Sequence, residues 1–273
     1  MTRDLAAYGV GFVGLGGPGA PEPPPSWPRW TVVQAVGPAG DAPGLDVWDD
    51  HARIGMPGVG EFRLDRAARR IELRVGEPWT PEAVLHPGLA PAAAVVAHWM
   101  GRATVHAAAV VIDGRVWGLL GEKGAGKSTI AAHLVGLGCA LLTDDLLVAD
   151  RMEGFAGPGA VDLRADVGLE LGGHALGVVG NRERWRAALP IGTLSAPLGG
   201  WIQLAWTEEA TTCEPVDAPG RLAALDHNTM LPPEGAQLLA MADLPMLRFA
   251  RRQDASQART DAARLMEVVT AGE

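Results

Sequence analysis

The sequence predicts a mixed fold, α+β or α/β, in which a small N-terminal β-rich domain (residues 1–100) packs on a larger core (residues 101–273). Three observations predict it. Residues 121–129 read Gly-Glu-Lys-Gly-Ala-Gly-Lys-Ser-Thr, a full match to the phosphate-binding pattern G-x-x-x-x-G-K-[ST]. One helix-length downstream, an apolar run ends in the acidic pair Asp144-Asp145. Short β-patterned runs separated by turn residues fill residues 30–75.

In chain order, residues 16–28 are rich in proline and glycine and predict an extended or disordered loop. Strands follow at 30–36, around 53–54, at 62–64 and at 71–75, spaced as in a small antiparallel sheet. Residues 81–84 and 91–100 read as helices, the second with Pro91 in its first turn. Residues 103–110 form an apolar strand carrying His106. Two apolar runs flank Asp113-Gly114, a hairpin that feeds the glycine loop. Beyond the loop, Ile130, Leu134, Val135 and Leu137 recur at helical spacing and Gly138 marks a stop. Residues 138–143 read as a buried strand. Arg182, Arg184 and Arg186 form a basic cluster that reads first as a solvated helix face and second as a holder of an acidic peptide or a phosphate. Helical patterns return at 222–225, 235–242 and 258–269, with a last strand at 244–249. No internal repeat is present.

Strand, glycine-rich loop and helix are the context this motif needs, because backbone N–H groups and the helix N-terminus then face phosphate oxygens. Gly121, Glu122, Lys123, Gly124, Ala125, Gly126, Lys127, Ser128 and Thr129 are therefore the expected nucleotide contacts. Lys127 reaches the terminal phosphates and the Ser128 hydroxyl ligates Mg²⁺. Of the acidic pair, one carboxylate can hold Mg²⁺ while the other takes a proton from an attacking hydroxyl, since neighbours on a strand face opposite ways. A slight preference falls on Asp144 as base and Asp145 as metal partner. A lone histidine in an apolar strand, such as His106, is on residue type alone more often a core residue than a catalyst.

His106-Ala-Ala-Ala-Val, the hairpin, Gly121-x-x-Gly-Ala-Gly-Lys-Ser-Thr and Gly138-x-x-Leu-Leu-x-Asp-Asp145 together resemble the catalytic domain of the HPr kinase/phosphorylase family. Within it, the chain is similar to the shorter HPr-kinase-like proteins of peptide natural-product clusters, some of which phosphorylate a serine of a lasso-peptide precursor. Weaker similarity covers Glu61-Phe62-Arg63-Leu64-Asp65, Pro158-Gly159 with Leu163-Arg164, and the strand around Trp201. The resemblance implies a core closer to phosphoenolpyruvate carboxykinase than to a Ras-like sheet. It implies ATP and Mg²⁺ as ligands, His106 near the acidic pair, and Arg164 facing substrate or phosphate. Lys123 stands where the family has a serine in the loop. The long signature of the bifunctional enzyme after the acidic pair has no equivalent, so the resemblance carries neither phosphorylase activity nor HPr as acceptor.

A net charge of −9 argues against broad nucleic-acid binding, which wants a basic face. No apolar run approaches the roughly 18 residues of a membrane helix, and Asp4 with repeated glycines spoils the N-terminus as a signal peptide. Two cysteines in 273 residues fit a reducing, cytoplasmic protein. A homo-oligomer is compatible with the sequence. Two classes of function follow: a kinase moving the γ-phosphoryl of ATP to a serine of a peptide or small protein, or a nucleotide-binding module without transfer. A small-molecule kinase is a third.

Overall fold

The computed structural model describes residues 3–16, 20–36, 43–56, 60–75, 84–179 and 182–271. The expected helix over residues 81–83 and Asn181 of the basic cluster lie outside these.

The N-terminal strands are β1 (Arg3–Ala7), β2 (Val10–Gly16), β3 (Arg29–Val36), β4 (Gly44–Val47), β5 (His51–Met56), β6 (Gly60–Asp65) and β7 (Arg70–Val75). They form one sheet in the order β1-β2-β3-β7-β6-β5-β4. The sheet is mixed rather than antiparallel, because β3 runs parallel to both β2 and β7. β3 starts beside the start of β2, Arg29 pairing with Gly11 and Trp30 with Phe12. The described part of the proline-rich stretch is irregular but anchored, Pro21 and Pro28 accepting from the Ala6 and Gly11 amides at 2.9 Å each. The β1–β2 turn places Tyr8 and Gly9 at φ 57° and 74°, the double positive φ of a tight hairpin.

A kinked turn at Val84–Gly88 leads into α1 (Leu89–Trp99), an alanine-rich helix buried over most of its length. The expected helix thus starts two residues before Pro91. After it come β8 (Ala103–Val105), β9 (Ala108–Ile112), β10 (Arg115–Leu120), α2 (Lys127–Gly136), β11 (Ala140–Thr143), β12 (Leu147–Asp150), β13 (Glu153–Phe155), β14 (Ala160–Leu163) and α3 (Ala165–Glu170). The remainder is β15 (His174–Val179), β16 (Arg182–Ala188), β17 (Ser195–Trp206), β18 (Thr212–Pro215), α4 (Ala218–Asn228), β19 (Thr229–Leu231), α5 (Gly235–Ala242), β20 (Met246–Arg251) and α6 (Ala258–Ala271).

Ten strands form the second sheet, with β17 at its centre: antiparallel to β13 at its start, then parallel to β10 and β20. The expected hairpin is present, with Asp113 and Gly114 at φ 47° and 77°. The expected strand over 103–110 is broken. The His106 amide donates to the Asn228 carbonyl at 2.7 Å, so β8 pairs with β12 and β19 while β9 pairs with β10 and β11. The arginine cluster is a strand, β16, paired with β14 and β15 in a third sheet, because Arg184 and Arg186 alternate toward the buried Asp162.

One apolar core lies between the first sheet and α1 and takes in Val148 and Phe155 from the second sheet and Leu146 from the turn before β12. A second packs α2 and α6 onto the sheet, and a third holds the fully buried Trp201. No helix among the described residues is long and apolar enough to cross a membrane. The Trp201 ring lies against Gly118, where a Cβ would come within 2.5 Å of it, and Nε1 donates to the Met241 carbonyl at 3.0 Å. Trp201→Ala is expected to cost about 3–5 kcal/mol in urea unfolding. A loss below about 1 kcal/mol would contradict this packing.

Candidate functional site

The parallel strands β10, β17 and β20 end at one edge of the second sheet; the glycine loop leaves the carboxyl end of β10, and the ends of β17 and β20 lie beside it. Such an edge is where open α/β sheets bind ligands. Gly121 leaves β10 at φ 143°, and a Cβ there would press on the Leu204 carbonyl at 2.8 Å. Gly126 caps α2 at φ 85°, and a Cβ there would lie 2.5 Å from the Arg251 guanidinium. From the strand ends, Trp206 Nε1 donates to the Gly124 carbonyl at 3.2 Å and Arg251 Nη2 to the Ala125 carbonyl at 2.8 Å. The Arg251 guanidinium also stacks 4.0 Å from the Trp206 ring centroid. Two side chains from neighbouring strands thus clamp the loop. The first amides of α2 have no intrahelical acceptor and face the cavity in front.

Lys127 Nζ folds back onto the Gly121 carbonyl at 2.7 Å. Burial lowers its pKa, against the charges of Asp145 and Asp144. Ser128 Oγ donates to Asp144 Oδ1 at 2.9 Å, tying the helix to the acidic pair.

The pair does not sit on a strand. Asp145 takes φ 67° and Leu146 bonds back to the Asp144 carbonyl, so the chain turns before β12. The two carboxylates therefore converge instead of facing opposite ways: Oδ2 of Asp144 and Oδ2 of Asp145 lie 3.6 Å and 3.3 Å from His86 Nε2. Their exposure separates them. The Asp144 side chain is 2% exposed and lies beneath the loop, whereas that of Asp145 is 28% exposed and lines the cavity. Burial pushes the Asp144 carboxyl well above the ordinary carboxylate value, and the charge of Asp145 adds to this against the Ser128 hydrogen bond.

His106 Nδ1 lies 3.0 Å from the Asp145 carbonyl. A carbonyl only accepts, so Nδ1 carries the proton and Nε2 keeps its lone pair. Burial, then the Lys127 charge, lowers the pKa, which keeps the ring neutral at pH 7. Arg164 is exposed at the N-terminus of α3, on the rim of the same cavity.

That cavity, of about 320 Å³, is shared by Lys123, Gly124, Gly126, Lys127, Ser128 and Thr129 of the loop with His106, Asp145 and Arg164. Gly121, Glu122 and Ala125 instead line a cleft on the other side of the loop. Sequence reasoning missed His86, Asp162, Trp206 and Arg251, and misread Arg184 and Arg186. Asp162 carried a signal, since a carboxylate inside the apolar run of β14 requires a partner. It finds Arg184 at 2.9 Å and Arg186 at 2.7 Å. Burial works to raise its pKa, but the Arg186 hydrogen bond and the charges of His86 and the arginines outweigh it and hold the carboxyl low. The alternation Arg182-Glu-Arg184-Trp-Arg186 was likewise legible as a strand. His86, in a kink beside Pro87-Gly88, carried no pattern.

No protein-family model and no curated protein matches the chain. Among solved structures, it is similar to the Hpr(Ser) kinase/phosphatase from Coxiella burnetii, at 12% identity over 62% of this chain and 99% of that one, with a TM-score of 0.30.

Asp144 gives a pH-dependent prediction. Its folded pKa is raised, so the folded protein keeps a proton that the unfolded chain has released. The contribution is complete below the ordinary carboxylate value and lost as pH rises through the raised one. In metal-free, nucleotide-free protein, Asp144→Asn should therefore stabilise at pH 7 by on the order of 1–3 kcal/mol. The gain should shrink as the pH falls toward 4. A lower melting temperature at pH 7, or a gain independent of pH, would contradict the burial of this charge.

Proposed function

We propose that the protein is an ATP- and Mg²⁺-dependent kinase that transfers the γ-phosphoryl group to a serine hydroxyl of a peptide. One observation carries the reading: Ser128 is bonded to the buried Asp144, while Asp145 faces the cavity that Lys127 and the α2 N-terminus also line. A binder without transfer needs the loop alone. An acidic group facing that cavity supplies a base as well.

Asp144 and Ser128 fit a magnesium ion, since Asp144 is buried with Oδ2 lacking any hydrogen-bond partner and Oδ1 already at the Ser128 hydroxyl. The ion would neutralise phosphate charge, as phosphoryl transfer requires. This reverses the preference drawn from sequence: Asp144 is the metal partner and Asp145 the base. Lys127 exchanges the Gly121 carbonyl for the terminal phosphates. Lys123, Arg164 and Arg251 also line the cavity, a local basic setting within a chain of net charge −9 that suits a polyphosphate. The serine oxygen forms its bond to the γ-phosphorus as the bond to the β,γ-bridging oxygen breaks, its proton passes to an Asp145 carboxylate oxygen, and ADP leaves. His106, through its bond to the Asp145 carbonyl, holds the turn that aims this base. Arg164, exposed on the rim, is placed to meet an acceptor's anionic groups.

The acceptor proposed is a ribosomal precursor peptide of the lasso type, a choice that rests on the sequence resemblance of residues 106–145. A cytoplasmic location accords with the free cysteines Cys139 and Cys213. The division into residues 1–100 and 101–273 belongs to the same proposal, with the peptide arriving at the cavity from outside.

Mg-ATP should raise the melting temperature of the wild type and leave Lys127→Ala unmoved, the lost phosphate contact corresponding to about 2–3 kcal/mol of binding. With γ-labelled ATP and a serine-containing precursor peptide, the label should move to the peptide, and a Ser-to-Ala peptide should take none. Wild-type affinity in Lys127→Ala would remove the nucleotide site. Label released only as inorganic phosphate would remove the peptide kinase.

A further inference from the structure

The geometry points to a second divalent-cation site, of mixed nitrogen and oxygen donors, formed by His86 Nε2, Asp144 Oδ2 and Asp145 Oδ2. One ligand atom from each of the three residues lies within 4.8 Å of the others, and His86 Nε2 lies 3.6 Å from Asp144 Oδ2 and 3.3 Å from Asp145 Oδ2.

His86 is the reason to look there. It sits at φ −154° and ψ 127° inside the kinked turn before α1, and Arg186 Nη2 donates to its carbonyl at 2.5 Å, which pins the backbone. Its ring is fully buried, yet neither nitrogen makes a hydrogen bond. Buried polar atoms are nearly always paired, so this ring requires a reason. Asp144 Oδ2, also buried, has no hydrogen-bond partner either.

The distances discriminate between a hydrogen-bonded cluster and a metal cage. His86 Nε2 is 3.3 Å from Asp145 and 3.6 Å from Asp144, longer than the roughly 2.7–3.2 Å of an N–H···O bond. Two ligands each about 2.1 Å from one ion and set at octahedral or tetrahedral angles are about 3.0–3.4 Å apart, close to what is seen. The charge agrees. Asp162, 3.9 Å from the same nitrogen, is balanced by Arg184 and Arg186, whereas His86 is the only basic side chain ion-paired to Asp144 or Asp145 among the described residues. Two carboxylates face one imidazole nitrogen, the donor set of a doubly charged ion.

An imidazole nitrogen selects for Mn²⁺, Co²⁺ or Zn²⁺ over Mg²⁺, which prefers oxygen. Asp144 then serves two ions, Oδ1 on the Ser128 side and Oδ2 on the His86 side. The second site needs neither nucleotide nor phosphoryl transfer, so it stands or falls separately from the kinase reading.

The test uses chelator-treated, nucleotide-free full-length protein titrated with Co²⁺ alone. The wild type should bind one Co²⁺ per chain with ligand-field bands in the visible, and an equal concentration of Mg²⁺ should not displace it. His86→Gln should lose the bands while keeping its circular dichroism. If that variant fails to fold, Asp145→Asn, whose side chain is partly exposed, should weaken Co²⁺ binding about tenfold or more. Lys127→Ala should bind Co²⁺ as the wild type does, whatever becomes of its nucleotide affinity. Absence of bands in the wild type, or unaltered Co²⁺ binding in the His86 or Asp145 variant, would overturn the site.

Discussion

Burying carboxylates beneath the glycine loop is the constraint to which the rest of this structure answers. Taking a carboxylate out of water costs several kcal/mol unless a cation and hydrogen bonds offset it. Asp162 is offset: β16 places two arginines on it, and one of them also fastens the His86 carbonyl. Asp144 is not. It has one hydroxyl, from Ser128, and a second carboxylate for a neighbour. The third sheet therefore neutralises one acid, whereas burial and the charge of Asp145 drive the other toward its protonated form. An acid in that state destabilises the fold at neutral pH, where the unfolded chain would release the proton.

The loop itself is held by the sheet rather than by its own sequence. Trp206 and Arg251 come from the ends of β17 and β20, which lie far along the chain but adjacent in space to β10. Their bonds to the Gly124 and Ala125 carbonyls fix the loop backbone, which also closes on itself where the Ala125 amide donates to the Glu122 carbonyl at 3.0 Å. From the other side, the kink before α1 brings His86 up to the acidic turn. The N-terminal part is thus joined to the site by a side chain as well as by the shared core of Leu146, Val148 and Phe155.

How much of this was legible in the sequence follows from range. The hairpin at Asp113-Gly114, the glycine loop, helix α2 and strand β11 are set by local turn chemistry and periodicity, and they stand where the residues predicted them. The acidic pair was picked out by type and position, but the convergence of its carboxylates depends on a positive φ at Asp145 that no spacing encodes. His106 was assigned to a continuous strand, because the bond from its amide to Asn228 is a contact between residues remote in sequence. The mixed order of the first sheet has the same origin: strand pattern gives strands, while the direction of β3 is fixed by its pairing with β2 and β7.

The central claim is the division of labour between the two aspartates, and a single-turnover measurement of γ-phosphoryl transfer with Mg-ATP tests it most directly. Asp145→Asn should bind Mg-nucleotide as the wild type does and lose the transfer step by about 10²–10⁴-fold, the usual contribution of a general base. Asp144→Asn should lose Mg²⁺-dependent binding as well as transfer. If Asp145→Asn instead loses Mg²⁺ dependence while Asp144→Asn keeps it, or if transfer is unchanged in both, the account is contradicted.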